Sequence, residues 1–192
     1  MAESREETRA EYLRSMNPGV AVTFHPDAFA SLNWSAGSRL VDFVSRYAGF
    51  FFDSPSTVYL DREEVEDAIN YILLELVENA LKYSLQGDDV DVALEMQLDE
   101  VQFAVVNPIN TGDMSRLETT FHELYSDDPA DLMVRRIEEN AAAPDSLNSG
   151  LGLLTILSDY GATVAWQFSD SPQTKRARLT ITTRFPVYRS ER

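Results

Sequence analysis

Apolar residues between Arg62 and Tyr83 recur at helical spacing: Val65, Ile69, Ile72, Leu73, Leu76 and Ala80 fall on one stripe of a single long helix. Asp61 precedes it with Glu64 three residues on, which is the spacing of a capping box with Asp in place of Ser or Thr. Downstream the period changes from helical to alternating. Val90 to Leu98 and Val101 to Val106, on either side of Asp99-Glu100, predict a hairpin, and Val105-Val106-Asn107-Pro108 predicts the end of the second strand. Thr163 to Phe168 and Arg176 to Phe185 predict two closing strands joined through Ser171-Pro172-Gln173. Upstream, Val20 to Phe24 reads as a short strand, and Leu40 to Phe52 as a helix running into an apolar patch, stopped by Asp53-Ser54-Pro55.

These stripes must be buried against one another, so the expected fold is α+β: a mixed, mainly antiparallel sheet covered on one face by helices. Residues 1–18 are polar and end in the Asn17-Pro18-Gly19 turn signal, which sets them apart as a loosely held arm before a single domain over 19–188. Within it, residues 108–149 mix helical hints (Arg116 to Leu124, Asp131 to Asn140) with loop chemistry and end in Ala141-Ala142-Ala143-Pro144-Asp145-Ser146. So long a connection is expected to be a lid, mobile over about residues 126–148 without ligand. Gly150-Leu151-Gly152-Leu153 opens a further helix, expected to reach Tyr160 with Gly161 as its C′ residue. The 62–83 and 152–160 helices should flank one cleft.

Charge narrows the partners. The 192 residues hold 32 acidic against 16 basic side chains, a formal charge of -16, which repels a bare phosphate backbone and argues against nucleic acid. A nucleotide held by this chain needs Mg²⁺ or local donors to offset that field. The absence of cysteine excludes disulfides, thiol catalysis and cysteine-ligated metals. No apolar run approaches the roughly 18–20 residues of a membrane span and the N-terminus is not a signal peptide, so a cytoplasmic protein with no membrane contact is expected. His25 and His122 show no metal-site spacing.

Two constellations carry chemistry. Glu75, Asn79 and Lys82 lie within roughly a 60° arc on the flank of the apolar stripe, presenting a carboxylate, an amide and an ammonium together. The Asn79 carbonyl suits a hard cation such as Mg²⁺ shared with nucleotide phosphates, and Glu75 could take a proton from a hydroxyl nucleophile; ordinary i,i+4 polar pairs on an amphipathic helix are the alternative. Ser149-Gly150-Leu151-Gly152-Leu153 at a helix start offers free N–H groups and close backbone approach to an anion, or simply a turn.

In order and spacing, Glu75-x-x-x-Asn79-Ala80-x-Lys82-Tyr83 followed by Gly150-Leu151-Gly152-Leu153 resembles the N box and G2 box of the GHKL ATP-binding family, which also places a lid between them. Similarity spans roughly residues 20–186, and the Glu-x-x-x-Asn box resembles that of the bacterial anti-sigma factor and serine/threonine kinase members of partner-switching systems. The resemblance implies a two-layer α/β sandwich of the histidine-kinase-like ATPase type. It implies ATP and Mg²⁺ as cofactors, with Asn79 on the metal, Glu75 as general base, and Lys82, Asn107, Gly150, Leu151, Gly152 and Leu153 around the nucleotide. A small antagonist protein is the implied partner, and the resemblance also admits a sigma factor and a homodimer.

One segment departs from the family. Its G1 box, Asp-x-Gly-x-Gly after a strand, should follow Val106, where the chain reads Asn107-Pro108-Ile109-Asn110-Thr111-Gly112. Asn107 can still accept a hydrogen bond without the charge, or serve only as a strand-end turn residue, and Pro108 and Ile109 are expected to narrow the base pocket. Two functions from different classes follow: an Mg-ATP-dependent regulatory serine/threonine kinase or anti-sigma-type regulator, and a non-catalytic module of the same fold that has lost nucleotide and sequesters a partner. Phe121-His122-Glu123-Leu124 resembles part of a histidine-kinase phosphoacceptor box, but that box precedes the N box in the family and here it follows.

Overall fold

The computed structural model describes residues 19–24, 34–52, 59–85, 88–142, 150–170 and 176–188. The N-terminal arm, His25, the Asp53-Ser54-Pro55 stop, Gln86-Gly87, the 143–149 end of the lid with Ser149, and the Ser171-Pro172-Gln173 turn lie outside them. In chain order the elements are β1 (Val20–Phe24), α1 (Trp34–Gly49), α2 (Arg62–Tyr83), β2 (Val90–Met96), β3 (Glu100–Asn110), α3 (Met114–Glu123), α4 (Pro129–Ala142), α5 (Leu151–Ser158), β4 (Thr163–Asp170) and β5 (Arg176–Pro186). Single 3-10 turns lie at Phe50–Phe52 and Thr111–Asp113.

The strands form one five-stranded sheet in the order β1-β2-β3-β5-β4, and every described pairing is antiparallel. Alternation puts one row of each strand on the helix side. Val22, Val92, Val105, Ile181 and Trp166 stand opposite one another across all five strands, and Val20, Leu94, Phe103, Thr183 and Val164 make the next such row. These residues are buried or packed against the core, which lies between this face and the helices.

The long helix forms as its pattern requires. The Asp61 side chain accepts from the Glu64 N–H at 2.9 Å and Glu64 Oε2 accepts from the Asp61 N–H at 2.8 Å, which closes the capping box. Val65, Ile69, Ile72, Leu73, Leu76 and Ala80 are all buried, joined by Ala68 and Val77, so the apolar stripe meets the sheet. α1 lies against the first half of α2, where Asn70 Nδ2 donates to Ser45 Oγ at 3.3 Å.

Several boundaries differ from the sequence reading. The helix expected from Leu40 begins at Trp34 and ends at Gly49, and only a 3-10 turn continues over Phe50–Phe52. The helix expected to reach Tyr160 stops at Ser158, before Gly161 at φ 59°. The 108–149 connection holds two helices, α3 and α4, through residue 142. The largest difference is β3, which does not end near Asn107 but continues to Asn110, because β5 pairs with it through Ile109↔Ala177 and Asn110↔Arg176.

Candidate nucleotide-binding cleft

α2 and α5 meet with their contacts running in opposite directions along the two helices. Tyr71 stacks on Tyr160 at 5.2 Å between centroids, and one turn later on α2 the Glu75 carboxyl meets Gly152 in the first turn of α5. A Cβ at position 152 would lie 1.9 Å from Glu75 Oε2, so glycine here leaves the carboxyl the place it occupies. Burial pushes the Glu75 carboxyl above the usual carboxylate range, the Glu78 charge adds to the rise, and hydrogen bonding with Tyr71 opposes it.

Glu75 opens onto a cavity of about 740 Å³. From α2, Asn79 and Lys82 line it with Glu75, and from the start of α5 so do Gly150, Gly152 and Leu153. Leu151 is not among the lining residues. Gly150 is the N-cap of α5 at φ 62° and no side chain caps this helix start, so its first N–H groups are offered to the cleft. The first turn of α5 holds no acidic residue.

The inner wall is β3. Asn107 stands on the helix side between Val105 and Ile109, fully buried, and lines the cavity. Its Nδ2 donates to the Ala80 carbonyl at 3.4 Å, which can only accept, so the amide orientation is set. That leaves Oδ1 buried with no hydrogen-bond partner. Asn107 is therefore a mid-strand residue and not the strand-end turn residue that local chemistry allowed. Pro108 and Ile109 do not narrow the pocket: neither lines it, Ile109 sits in the core, and the Pro108 carbonyl accepts from the Leu85 N–H at 3.2 Å.

The lid helices supply the remaining walls. Leu117, Phe121 and Leu124 of the α3 region are buried beside the cavity, while α4 has no buried residue and covers it with Leu132 and Arg136. The base of α3 is anchored to the sheet edge: the Tyr125 hydroxyl accepts from the Val164 N–H at 2.9 Å and donates to the Val164 carbonyl, and Phe121 stacks on Trp166 at 5.1 Å. His122 meets the same indole edge-on at 5.2 Å, a packing role.

Arg116 and Arg136, both cavity-lining, have no motif in the sequence. Arg136 Nε would lie 3.5 Å from a Cβ on Gly150, and its guanidinium is shared between Glu123 at 3.7 Å and Glu139 at 3.4 Å, both on exposed side chains. A cation beside the positive end of α5 is electrostatically unfavourable unless an anion lies between them. The only sequence signal was the pair of arginines in an acidic, helical lid segment.

Among the described residues, no group of three His, Asp or Glu side chains is placed to hold a metal. No described helix is long and apolar enough to cross a membrane.

No family model matches the sequence, and no curated protein matches it. Among solved structures, one chain of the SiaB–SiaC complex from Pseudomonas aeruginosa is similar, at 18% identity over 93% of this chain and 96% of that one, with a TM-score of 0.61. The nucleotide-free catalytic domain of the histidine kinase ThkA is similar at 14% identity over 88% of this chain and 96% of its own, with a TM-score of 0.39. The likeness to that chain of the SiaB–SiaC complex is one of fold: an α+β sandwich with helices on one face of an antiparallel sheet.

Proposed function

We propose that the cleft binds Mg-ATP and that the protein is a regulatory serine/threonine kinase of the partner-switching type, acting on a small antagonist protein. The observation that carries this reading is Asn107 Oδ1, a fully buried acceptor without a partner on the wall of the cavity that also holds Glu75, Asn79, Gly150 and Gly152. A buried unsatisfied acceptor costs about 1–3 kcal/mol, and a ligand that donates there removes the cost. The amino group of adenine fits that requirement, and so the residues present suit the nucleotide despite the altered G1 segment.

In this reading Asn107 and the apolar wall of Leu179 and Ile181 hold the base. The Gly150 and Gly152 backbone cradles the phosphates, while Lys82, Arg116 and Arg136 offset their charge in a chain of net charge -16. The Asn79 oxygen would ligate Mg²⁺, which supplies charge neutralisation at the phosphate oxygens when bound. Glu75 accepts the proton of the attacking Ser or Thr hydroxyl as its oxygen bonds to the γ-phosphorus and ADP departs. A carboxyl raised by burial is a better base at neutral pH than an ordinary one. A protein partner is supported by the similar chain having been crystallised in complex with another protein. A sigma factor, homodimerisation and a cytoplasmic location enter from the resemblance alone.

The second reading, a non-catalytic binding module, is favoured by one observation: where the family has a glycine-rich turn, Pro108 and Ile109 continue β3. Calorimetry with Mg-ATP, followed by phosphate transfer to a co-purified partner, separates the two. Binding and transfer support the kinase; partner binding with no response to millimolar Mg-ATP supports the module.

A further inference from the structure

Among the described residues, four of the nine exposed large apolar side chains stand together on the outer flank of α1. Phe43, Tyr47, Phe50 and Phe51 are between 43% and 67% exposed and recur at the spacing of one helix face. Tyr47 meets Phe51 edge-on at 5.6 Å, and the Arg62 guanidinium lies over the Phe50 ring at 3.8 Å. Four rings about half exposed present on the order of 400 Å² of apolar surface, a patch large enough to mark a contact. The cleft makes no use of it.

The packing of the helices fixes which way this flank looks. Ser45 faces α2, where it accepts from Asn70; Phe43 and Tyr47, two residues to either side, lie roughly 160° round α1 from it. The patch therefore points away from α2. Asn70 and Glu75 are roughly 140° apart on α2, so α1 and α5 lie on opposite sides of that helix. α5 contacts β4, one edge of the sheet, which leaves α1 towards the other edge, β1. A Cβ on Gly49 would meet Glu66 as Ser45 meets Asn70, so α1 runs antiparallel to α2 and its aromatic end stands at the start of α2. That start lies at the β2–β3 turn, because the Leu60 N–H donates to the Val187 carbonyl and the Val187 N–H to the Asp99 carbonyl, both at 2.9 Å. β1 begins at the same end, with Val20 opposite Leu94 and Gly19 against Met96.

Residues 1–18 thus join the described chain at Gly19, at the sheet edge and the sheet end on which the patch lies. Asn17-Pro18-Gly19 is a turn signal, which sends the preceding chain back over the molecule. Tyr12, Leu13 and Met16 have the spacing of one helix face, and a ring and a thioether both suit aromatic partners. With four Glu against three Arg side chains, residues 1–18 carry -1 of the formal -16, so an acidic body repels them little. Leu13 precedes Gly19 by six residues, a reach of about 20 Å. A second copy fits less well, since a stable interface buries about 800 Å² per partner, roughly twice what the patch offers.

We propose that the aromatic flank of α1 is the docking surface for this chain's own N-terminal segment, with Tyr12, Leu13 and Met16 set against Phe43, Tyr47 and Phe51. The proposal is independent of the kinase reading. It makes the segment before Gly19 a cover for α1 in place of a loosely held arm.

The chain has no cysteine, so an introduced pair reports on its own proximity. In the full chain, Leu13→Cys with Tyr47→Cys should close an intramolecular disulfide under mild oxidation roughly tenfold faster than Leu13→Cys with Leu98→Cys. Leu98 is 82% exposed at the β2–β3 turn, at the same end of the sheet, so an undocked segment would react with both positions alike. Equal rates overturn the proposal. A disulfide-linked dimer formed through Tyr47→Cys in preference to the internal bond assigns the patch to a second copy and overturns it as well. In a second measurement, Leu13→Asp should lower Tm by about 2–4 °C in the otherwise unaltered chain and by much less in a Tyr47→Ser background. Additive Tm shifts refute the docking.

Discussion

The Glu75 carboxyl occupies the space in which any side chain at Gly152 would begin: a Cβ there falls 1.9 Å from Oε2 and 2.5 Å from Cδ of Glu75. Gly152 is helical and not among the positive-φ glycines, so space and not backbone conformation requires it. Gly150, two residues earlier, is the opposite case at φ 62°.

The two glycines should therefore respond differently. In Gly152→Ala the terminal atoms of Glu75 can swing away, and alanine gains up to about 1 kcal/mol of helix propensity. Stability should change little while any activity that needs Glu75 in place is lost. Gly150→Ala forces a left-handed conformation on alanine and should cost about 1–2 kcal/mol. Urea unfolding of both variants checks this, and equal losses of stability would contradict it.

The raised Glu75 pKa gives a pH signature. Its folded value lies above the ordinary 4.5, so the fold binds the extra proton and the stabilising contribution is fully present below pH 4.5. It is lost as pH rises from there through the raised folded value. Glu75→Gln titrates at no pH and escapes that loss, so its Tm relative to wild type should climb across this window and then level off. The same variant should bind Mg-ATP normally and transfer phosphate about 10²- to 10⁴-fold more slowly, the range for loss of a general base. A constant Tm difference from pH 4 to 8 would count against the buried carboxylate.

Asn107 separates stability from binding. Asn107→Leu removes the unpartnered Oδ1 from an apolar wall and should stabilise the unliganded protein, by about 1 kcal/mol, while abolishing the ATP-dependent rise in Tm. In Asn107→Asp a carboxylate faces the Ala80 carbonyl in a fully buried position and should destabilise the free protein by several kcal/mol, while the charged acceptor should tighten ATP if the pocket is intact. Thermal shift with and without Mg-ATP reads both effects.

Tyr125 ties the lid base to β4, a sheet edge, where its hydroxyl serves both the N–H and the carbonyl of Val164. Tyr125→Phe should cost about 1 kcal/mol, the net worth of a hydrogen bond, and should speed amide exchange at Val164. No change in that amide would refute the anchor.

α4 has no buried residue, so its amides should exchange quickly in the unliganded protein and be protected by Mg-ATP through Arg136. The expected mobile lid of about 126–148 is testable in this form over residues 129–142. Slow exchange of α4 without nucleotide would contradict it.

Local physics was enough for the elements whose signals agree. α2 carries its own capping box and a stripe at one period, so its start and its buried face could be read before any packing was known. Glu75 and Asn79 inherit their side from that stripe, and Gly150 caps a helix start with Gly152 in its first turn, so their sharing of one cavity was foreseeable from order and spacing.

Register decided what local chemistry obscured. Asn107-Pro108 reads as a stop because proline lacks a donor, yet the described β2 pairing ends at Val106↔Asp91 and leaves the 107–110 stretch of β3 paired with β5 alone. Proline is tolerated on an edge whose outer side bonds no strand. Only that extra run of pairing, Asn107↔Leu179 onward, buries Asn107 in the core-facing row and turns it towards the cleft. Arg136 and Tyr71 escaped for a related reason. An arginine in a charged lid helix and a tyrosine beside an apolar stripe have no period or spacing of their own, and their meaning comes from α5 being packed against them, which is a fact of three-dimensional contact and not of order along the chain.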